Sequence, residues 1–357
     1  IGVSHLVQST RAGAEFGFGL LWALLLVHIF KYPFFQFGPR YAAATGETLL
    51  EGYKKLGKGV LITYYILNFA TMFTIQAAVT IVTAGLASQL FGITNDLVLW
   101  STLIMFISLI FLVVGKYRLL DNLMKFIIII LTLSTILAVS IALFNTKDTF
   151  DVTQIIPSGA VELTFLIAFL GWNVGYIATL FLGICFVLLG ALVMYKSGET
   201  FSNKGGVFAS QLIYLYTKNL GNFSYLLIAI AAFTTMFSTT ITTMDASPRA
   251  MNRTTKLLFN KTFKFGYWFW IITLFLGTFL ILKYFMDDMG LLIKIATILS
   301  FLTAPFYAIL NYKLITGKHT PKEHQPGIYL RILSIAGIVF LIGFSIWFLS
   351  SISNFSS

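Results

Sequence analysis

Long apolar runs, separated by short polar or glycine- and proline-marked breaks, fill this 357-residue chain. Runs at 16–38, 59–91, 97–114, 119–144, 176–195, 221–244, 265–284, 289–312 and 328–352 read as helices crossing a bilayer core, which takes about 20 apolar residues each. Two shorter apolar segments, 1–14 and 161–172, fall below that length. The alternating polarity of barrel strands is absent, so the pattern predicts an all-α, polytopic transmembrane protein in one domain, 1–357.

Composition supports the same class. Hydrophobic residues make up 58% and charged residues 10%, against about 45–50% and about 25% in soluble domains. The single cysteine, Cys185, lies in an apolar run, which excludes a disulfide framework and reads as a packing residue. The net charge of +11 could suggest nucleic acid, but the basic residues are spread through short loops and read as topology signals instead. Lys31, Arg40, Lys54, Lys55 and Lys58 flank one connection, and Lys116, Arg118 and Lys125 another. Arg249, Arg253, Lys256, Lys261 and Lys264 form a third cluster, and Lys313, Lys318, Lys322 and Arg331 a fourth. Alternating helices bring these 17 of 24 positive residues to one face, which the positive-inside rule makes cytoplasmic, with the N-terminus inside and the C-terminus outside. Residues 206–217 carry Val207, Phe208, Leu212, Ile213 and Tyr216 at helical spacing and predict an external helix lying on the membrane interface.

The same sidedness requires an even number of crossings within 161–195, yet two crossings need about 40 residues and only 35 are present. Residues are therefore expected between Trp172 and Asn173 that this sequence lacks. With that half-helix restored, eleven helices result. Helices one to five, 1–144, repeat as helices six to ten, 161–312, with opposite sidedness, and 328–352 is the eleventh. The short interrupted segments then stand first in each half, the pattern of transporters whose substrate site lies between two broken helices at the bilayer midplane.

Several stretches are similar to the Nramp (natural resistance-associated macrophage protein) family of divalent-metal transporters. Phe16-Gly17-Phe18-Gly19-Leu20-Leu21-Trp22 resembles the start of that family's second helix, and Ala44-Thr45-Gly46-Glu47-Thr48-Leu49 the connection after it. Leu90-Phe91-Gly92-Ile93 resembles the end of the third helix, and Ser238-Thr239-Thr240-Ile241-Thr242 part of the eighth. The resemblance implies a LeuT-like inverted repeat of five plus five helices with an eleventh, working by alternating access. It also implies that Gly2-Val3-Ser4-His5 stands where the family has Asp-Pro-Gly-Asn, so the metal-binding aspartate is absent. Gln76 takes the place of an acidic residue linked in the family to proton movement, Phe69 and Val79 replace two further acidic positions, and Thr303 replaces a glutamine near the metal.

From these positions Ser4, His5, Gln8, Gly171, Trp172 and Thr303 are expected to meet the substrate, and Thr74, Gln76, Arg11 and Glu15 to line or gate its path. His5 has two readings: a metal-ligating imidazole, or a histidine satisfied by hydrogen bonds in the break. Arg11 and Glu15, spaced i,i+4, have the geometry of an ion pair. The resemblance implies a divalent cation of the magnesium or manganese class as cargo; with no carboxylate at the break it would be held through its water shell and moved with weak or absent proton coupling. The alternative is a small organic solute on the same fold. No resident cofactor, catalytic centre or nucleic-acid partner is expected; the partners are the lipid bilayer and the transported species.

Overall fold

The computed structural model describes residues 2–355 apart from 116, 146–150, 174–176, 262, 286 and 287. Lys116 of the charge pattern therefore lies outside the described residues. A π-helical turn, Ser4–Ser9, runs into α1 (Thr10–Phe16). There follow α2 (Leu21–Thr45), α3 (Leu49–Leu56), α4 (Lys58–Phe91), α5 (Leu97–Val114), α6 (Tyr117–Asn145) and α7 (Ala160–Trp172). The rest of the chain forms α8 (Ile177–Val193), α9 (Gly205–Leu220), α10 (Tyr225–Phe259), α11 (Gly266–Phe285), α12 (Met289–Thr316) and α13 (Ile328–Phe355). Among the described residues there is no strand, and eight helices are long and apolar enough to span a bilayer.

Most of these helices have no polar side, because a bilayer makes the outside of the bundle as apolar as its inside. Their lipid-facing positions carry large side chains such as Leu99, Phe106 and Ile110, all exposed. Where helices stop, the sequence supplies the means. Asp96 caps α5 by accepting from the amides of Val98 and Leu99 at 2.9 and 3.1 Å, and α4 ends on Gly92 at φ +63°, a conformation that disfavours any Cβ.

The inverted repeat is visible in element order. α1 to α6 correspond one by one to α7 to α12, and α13 stands outside the repeat. The π-turn and α1 together cover Ser4–Phe16, matched by the short α7. The short helices α3 and α9 each precede the longest helix of their half, α4 with 34 residues and α10 with 35. Those two long helices pack against each other along the centre of the bundle. α1 crosses α8 at backbone contact: a Cβ on Gly13 would sit 2.0 Å from the Val187 carbonyl oxygen, and one on Gly190 2.2 Å from that of Thr10.

Three of the four basic clusters do meet at one end of the bundle. Arg253 on α10 pairs with Glu51 on α3, Lys54 Nζ donates to Asn260 Oδ1 at 2.9 Å, and Arg40 Nε donates to the His324 carbonyl at 2.8 Å. Two expectations need correction. Lys31 is not in that cluster: it sits midway along α2 and is 5% exposed. The apolar face of α9 does not lie on a lipid interface, because Phe208, Leu212, Ile213 and Tyr216 are buried in the main core against α4 and α6, and only Val207 faces outward.

Candidate functional site

The centre of the site is the C-terminal end of α7. A helix leaves its last carbonyls without partners and carries partial negative charge there. Here several of those acceptors have a specific donor. Asn173 Nδ2 donates to the Phe169 carbonyl at 2.5 Å. Lys31 Nζ donates to the carbonyls of Leu170 at 2.6 Å, Gly171 at 2.8 Å and Asn173 at 3.3 Å. An ammonium has three protons, and all three are used. Lys31 is the eleventh residue of a 25-residue helix, so its backbone lies about 15 Å from the helix start, near the centre of a core about 30 Å thick. The Phe301 ring, 5.7 Å from Nζ, adds a second favourable surface for the charge.

Gly171 and Trp172 dock α7 on α12. A Cβ at Gly171 would fall 2.2 Å from the Thr297 carbonyl oxygen, and Trp172 Nε1 donates to Ser300 Oγ at 2.8 Å. From Lys31 and Gly171 a cavity of about 570 Å³ runs toward the basic end of the bundle, where Pro39 and Leu49 line it. Its rails are α2, α4 and α12, with Asn68, Thr71, Ser300, Thr303 and Asn311 as polar lining and Phe34, Phe35, Tyr64 and Tyr307 as aromatic lining. Among the described residues that line it there is no carboxylate, and Lys31 is the charged one. Asn68 Nδ2 on its wall and Asn173 Oδ1 at the break have no hydrogen-bond partner.

Of the residues expected to meet the substrate, Gly171 and Thr303 line this cavity, while Trp172 supports it from behind through Ser300. Thr303 Oγ1 is bonded within its own helix, to the carbonyls of Leu299 at 2.9 Å and Ser300 at 3.1 Å. Ser4, His5 and Gln8 are buried in the π-turn, which packs against both α7 and α8. Ser4 Oγ lies 2.8 Å from His5 Nδ1, and His5 Nε2 lies 3.0 Å from the Thr179 carbonyl. A carbonyl only accepts, so Nε2 carries the proton, and Nδ1 accepts from the Ser4 hydroxyl. In this arrangement His5 has no lone pair left for a metal ion. No cluster of three His, Cys, Asp or Glu side chains occurs among the described residues.

The path residues divide. Gln76, 1% exposed, joins α4 to α10: its Oε1 accepts from Thr243 Oγ1 at 2.7 Å, and its Nε2 donates to the Thr240 carbonyl at 3.4 Å. It is an interhelical tie, as is Thr83 Oγ1, 2.8 Å from Thr240 Oγ1. Thr74 is bonded to the carbonyl of Thr71 on its own helix at 3.0 Å. The Arg11–Glu15 pair does not form. Arg11 turns instead to the loop before α9, donating to Asn203 Oδ1 at 2.7 Å and to the Phe201 carbonyl at 3.3 Å, while Glu15 is exposed. The loop folds back onto α1 and offers neutral acceptors to a buried guanidinium.

Sequence reading missed Lys31. Its signal was present: a lysine between Phe30 and Tyr32, well inside an apolar run, is an intramembrane charge rather than a flanking one.

A bundle whose two halves repeat in order, each opening with a short helix and together enclosing a cavity that ends at one of the breaks, has the build of a membrane transporter. Residues 1–182 match the family described as natural resistance-associated macrophage protein-like. An uncharacterized protein of Pasteurella multocida (strain Pm70) is 33% identical over 390 residues, covering 98% of this chain and 89% of that protein. The chain belongs to this family. Among solved structures, the Eremococcus coleocola manganese transporter in complex with an aromatic bis-isothiourea substituted compound aligns with a TM-score of 0.61 at 10% identity, over 99% of this chain and 92% of that one. A singly substituted form of the same transporter aligns at 0.57 and 13% identity, with the same coverage. The fold is thus the LeuT-like inverted repeat in an integral, multi-pass membrane protein.

Proposed function

We propose that this protein is a secondary transporter that moves a divalent cation of the magnesium or manganese class by alternating access, with weak or no proton coupling. Family membership and a fold shared with a manganese transporter support the class of cargo. The observation that carries the finer reading is the cavity itself, polar, free of carboxylates among the residues lining it, and ending at the break in α7. A bare divalent ion needs anionic donors to offset dehydration; magnesium keeps its waters most stubbornly. A volume of about 570 Å³ holds on the order of 20 waters at about 30 Å³ each, ample for a six-water shell. Asn68, Thr71, Ser300, Thr303 and Asn311 are suited to hydrogen-bond such a shell, and neutral amides and hydroxyls do not change charge near pH 7. Gln76, an amide that does not titrate, does not take up the proton that an acidic residue there would.

The test is uptake by proteoliposomes loaded with a divalent-ion indicator and, in parallel, a pH indicator. Saturable Mg²⁺ or Mn²⁺ uptake without acidification is expected; no saturable flux of either ion would sink the metal reading. A second reading, transport of a small organic solute, draws on the aromatic walls and the Lys31 charge. Thermal stabilisation by an organic acid or amino acid and not by either metal would favour it.

The basic end of the bundle is proposed to face the cytoplasm, with α13 ending outside. The half-helix expected after Trp172 also remains a proposal. Its support is the sidedness count; the alignment with the Pasteurella relative, which spans 390 positions yet covers 98% of a 357-residue chain, leaves about 40 positions without a counterpart here, at places its length alone does not fix. An intact mass of 39.8 kDa for the protein from its natural source would overturn it.

A further inference from the structure

The cation expected at the break competes with a cation already there. Three carbonyl oxygens converge on Lys31 Nζ at 2.6, 2.8 and 3.3 Å, from Leu170, Gly171 and Asn173. Carbonyls so arranged at a negative helix end are what an incoming cation, or the waters around it, would use. The ammonium takes them all, and it lies at the inner end of the cavity through which cargo would leave or enter. Among the described residues no ion pair ties the charge there: its partners are neutral carbonyls and the Phe301 ring. A lysine stem has four rotatable carbons and swings readily. The cavity gives it somewhere to go, past Ser300 and Thr303 toward Asn311.

We propose that Lys31 is a tethered cation that holds the α7 carbonyls while the site is empty and is displaced into the cavity when the transported cation binds. The inference rests on the divalent-cation reading above and adds a residue that sets affinity. The break never stands as a bare row of unpaired carbonyls in an apolar core, which would be costly. Cargo must replace the ammonium, so binding is weakened and a tightly held, dehydrated ion is disfavoured. Exchange of one cation for another also needs no proton from solvent.

The experiment is Mn²⁺ uptake by proteoliposomes carrying the wild type, Lys31→Gln and Lys31→Arg. Removing the tethered charge lowers KM for Mn²⁺ by about tenfold, and restoring it as Arg reverses the fall. An unchanged or raised KM in Lys31→Gln, or an equal fall in Lys31→Arg, overturns the inference. A purely structural role would lower Tm and maximal flux without lowering KM. Flux absent from the wild type defeats the transport reading and this inference together, whereas flux with an unchanged KM defeats this inference alone. Should Lys31→Gln not fold, the wild type still decides: amine-reactive labelling read by mass spectrometry at the Lys31 peptide rises when Mn²⁺ is added, and labelling indifferent to Mn²⁺ overturns the displacement.

Discussion

At the scale of single residues, the closest approaches depend on having no side chain, and buried polar groups such as Gln76 depend on partners on a facing helix. Gly13 and Gly190 let α1 and α8 touch backbone to backbone, each Cβ position falling within 2.2 Å of the other helix's carbonyl oxygen. Gly13→Ala and Gly190→Ala are each expected to destabilise by about 1–3 kcal/mol through overpacking. The double variant costs less than the sum, because either methyl already parts the helices; thermal unfolding of the detergent-purified protein reads both. Gln76→Leu removes an acceptor from Thr243 and a donor from the Thr240 carbonyl. A loss of about 1–3 kcal/mol is expected, again as a lower Tm. An unchanged Tm would mean that the amide is not the tie between α4 and α10. The type and place of these residues were legible in the sequence, but their partners were not. Gln76 meets Thr243 across 167 positions of chain, a distance that no local pattern reports.

At the scale of elements, α3 is the clearest case of a helix kept in place by several small devices. Thr48 and Glu51 form a capping box, and the same Glu51 carboxylate pairs with Arg253 on α10. Glu47 beside it accepts from Lys55 Nζ at 2.6 Å and from the Tyr41 hydroxyl at 2.9 Å. The Thr48 backbone amide, helped by its hydroxyl and by Arg253, holds the Glu51 carboxyl below its ordinary value of 4.5. A carboxylate depressed on folding contributes stability that is present above the unfolded value and lost as pH falls through the folded one. The Tm advantage of the wild type over Glu51→Gln should therefore be full at pH 7, shrink as pH drops below about 4.5 and vanish in stronger acid. An advantage that persisted there would sink the assignment. Because α3 supplies Leu49 to the mouth of the cavity and Tyr53 OH to Asn311 Oδ1 at 2.5 Å, its anchorage bears on access as well as stability. The boundaries of α4 and α5 were readable because Gly92 and Asp96 mark them, whereas α2 and α10 run well past the expected 16–38 and 221–244 and α3 was not expected. The placement of α9 was not: amphipathic spacing says that one face is apolar, not whether lipid or protein covers it.

At the scale of the whole molecule, the repeat gives the bundle two distinguishable ends, and its orientation can be tested directly. Cys185 is buried, so thiols introduced as Lys322→Cys and Glu199→Cys report above little background. An impermeant maleimide applied to intact cells should label Glu199→Cys, and Lys322→Cys only after permeabilisation; the reverse pattern would invert the topology.

The sequence by itself determined the helical membrane class, eight of the nine expected long spans, the meeting of three of the four basic clusters and the five-plus-five order. These follow from hydropathy, length and loop charge, which are local properties that accumulate along the chain. Only the tertiary structure decided which charges are paired and where the site's cation sits. Arg11 left Glu15 for a loop some 190 residues away, and Lys31 left the expected basic cluster for the end of α7. The physical reason is one of range. Hydrogen bonds and charge pairing act over about 3–4 Å, so their partners are chosen by packing between helices rather than by spacing within one.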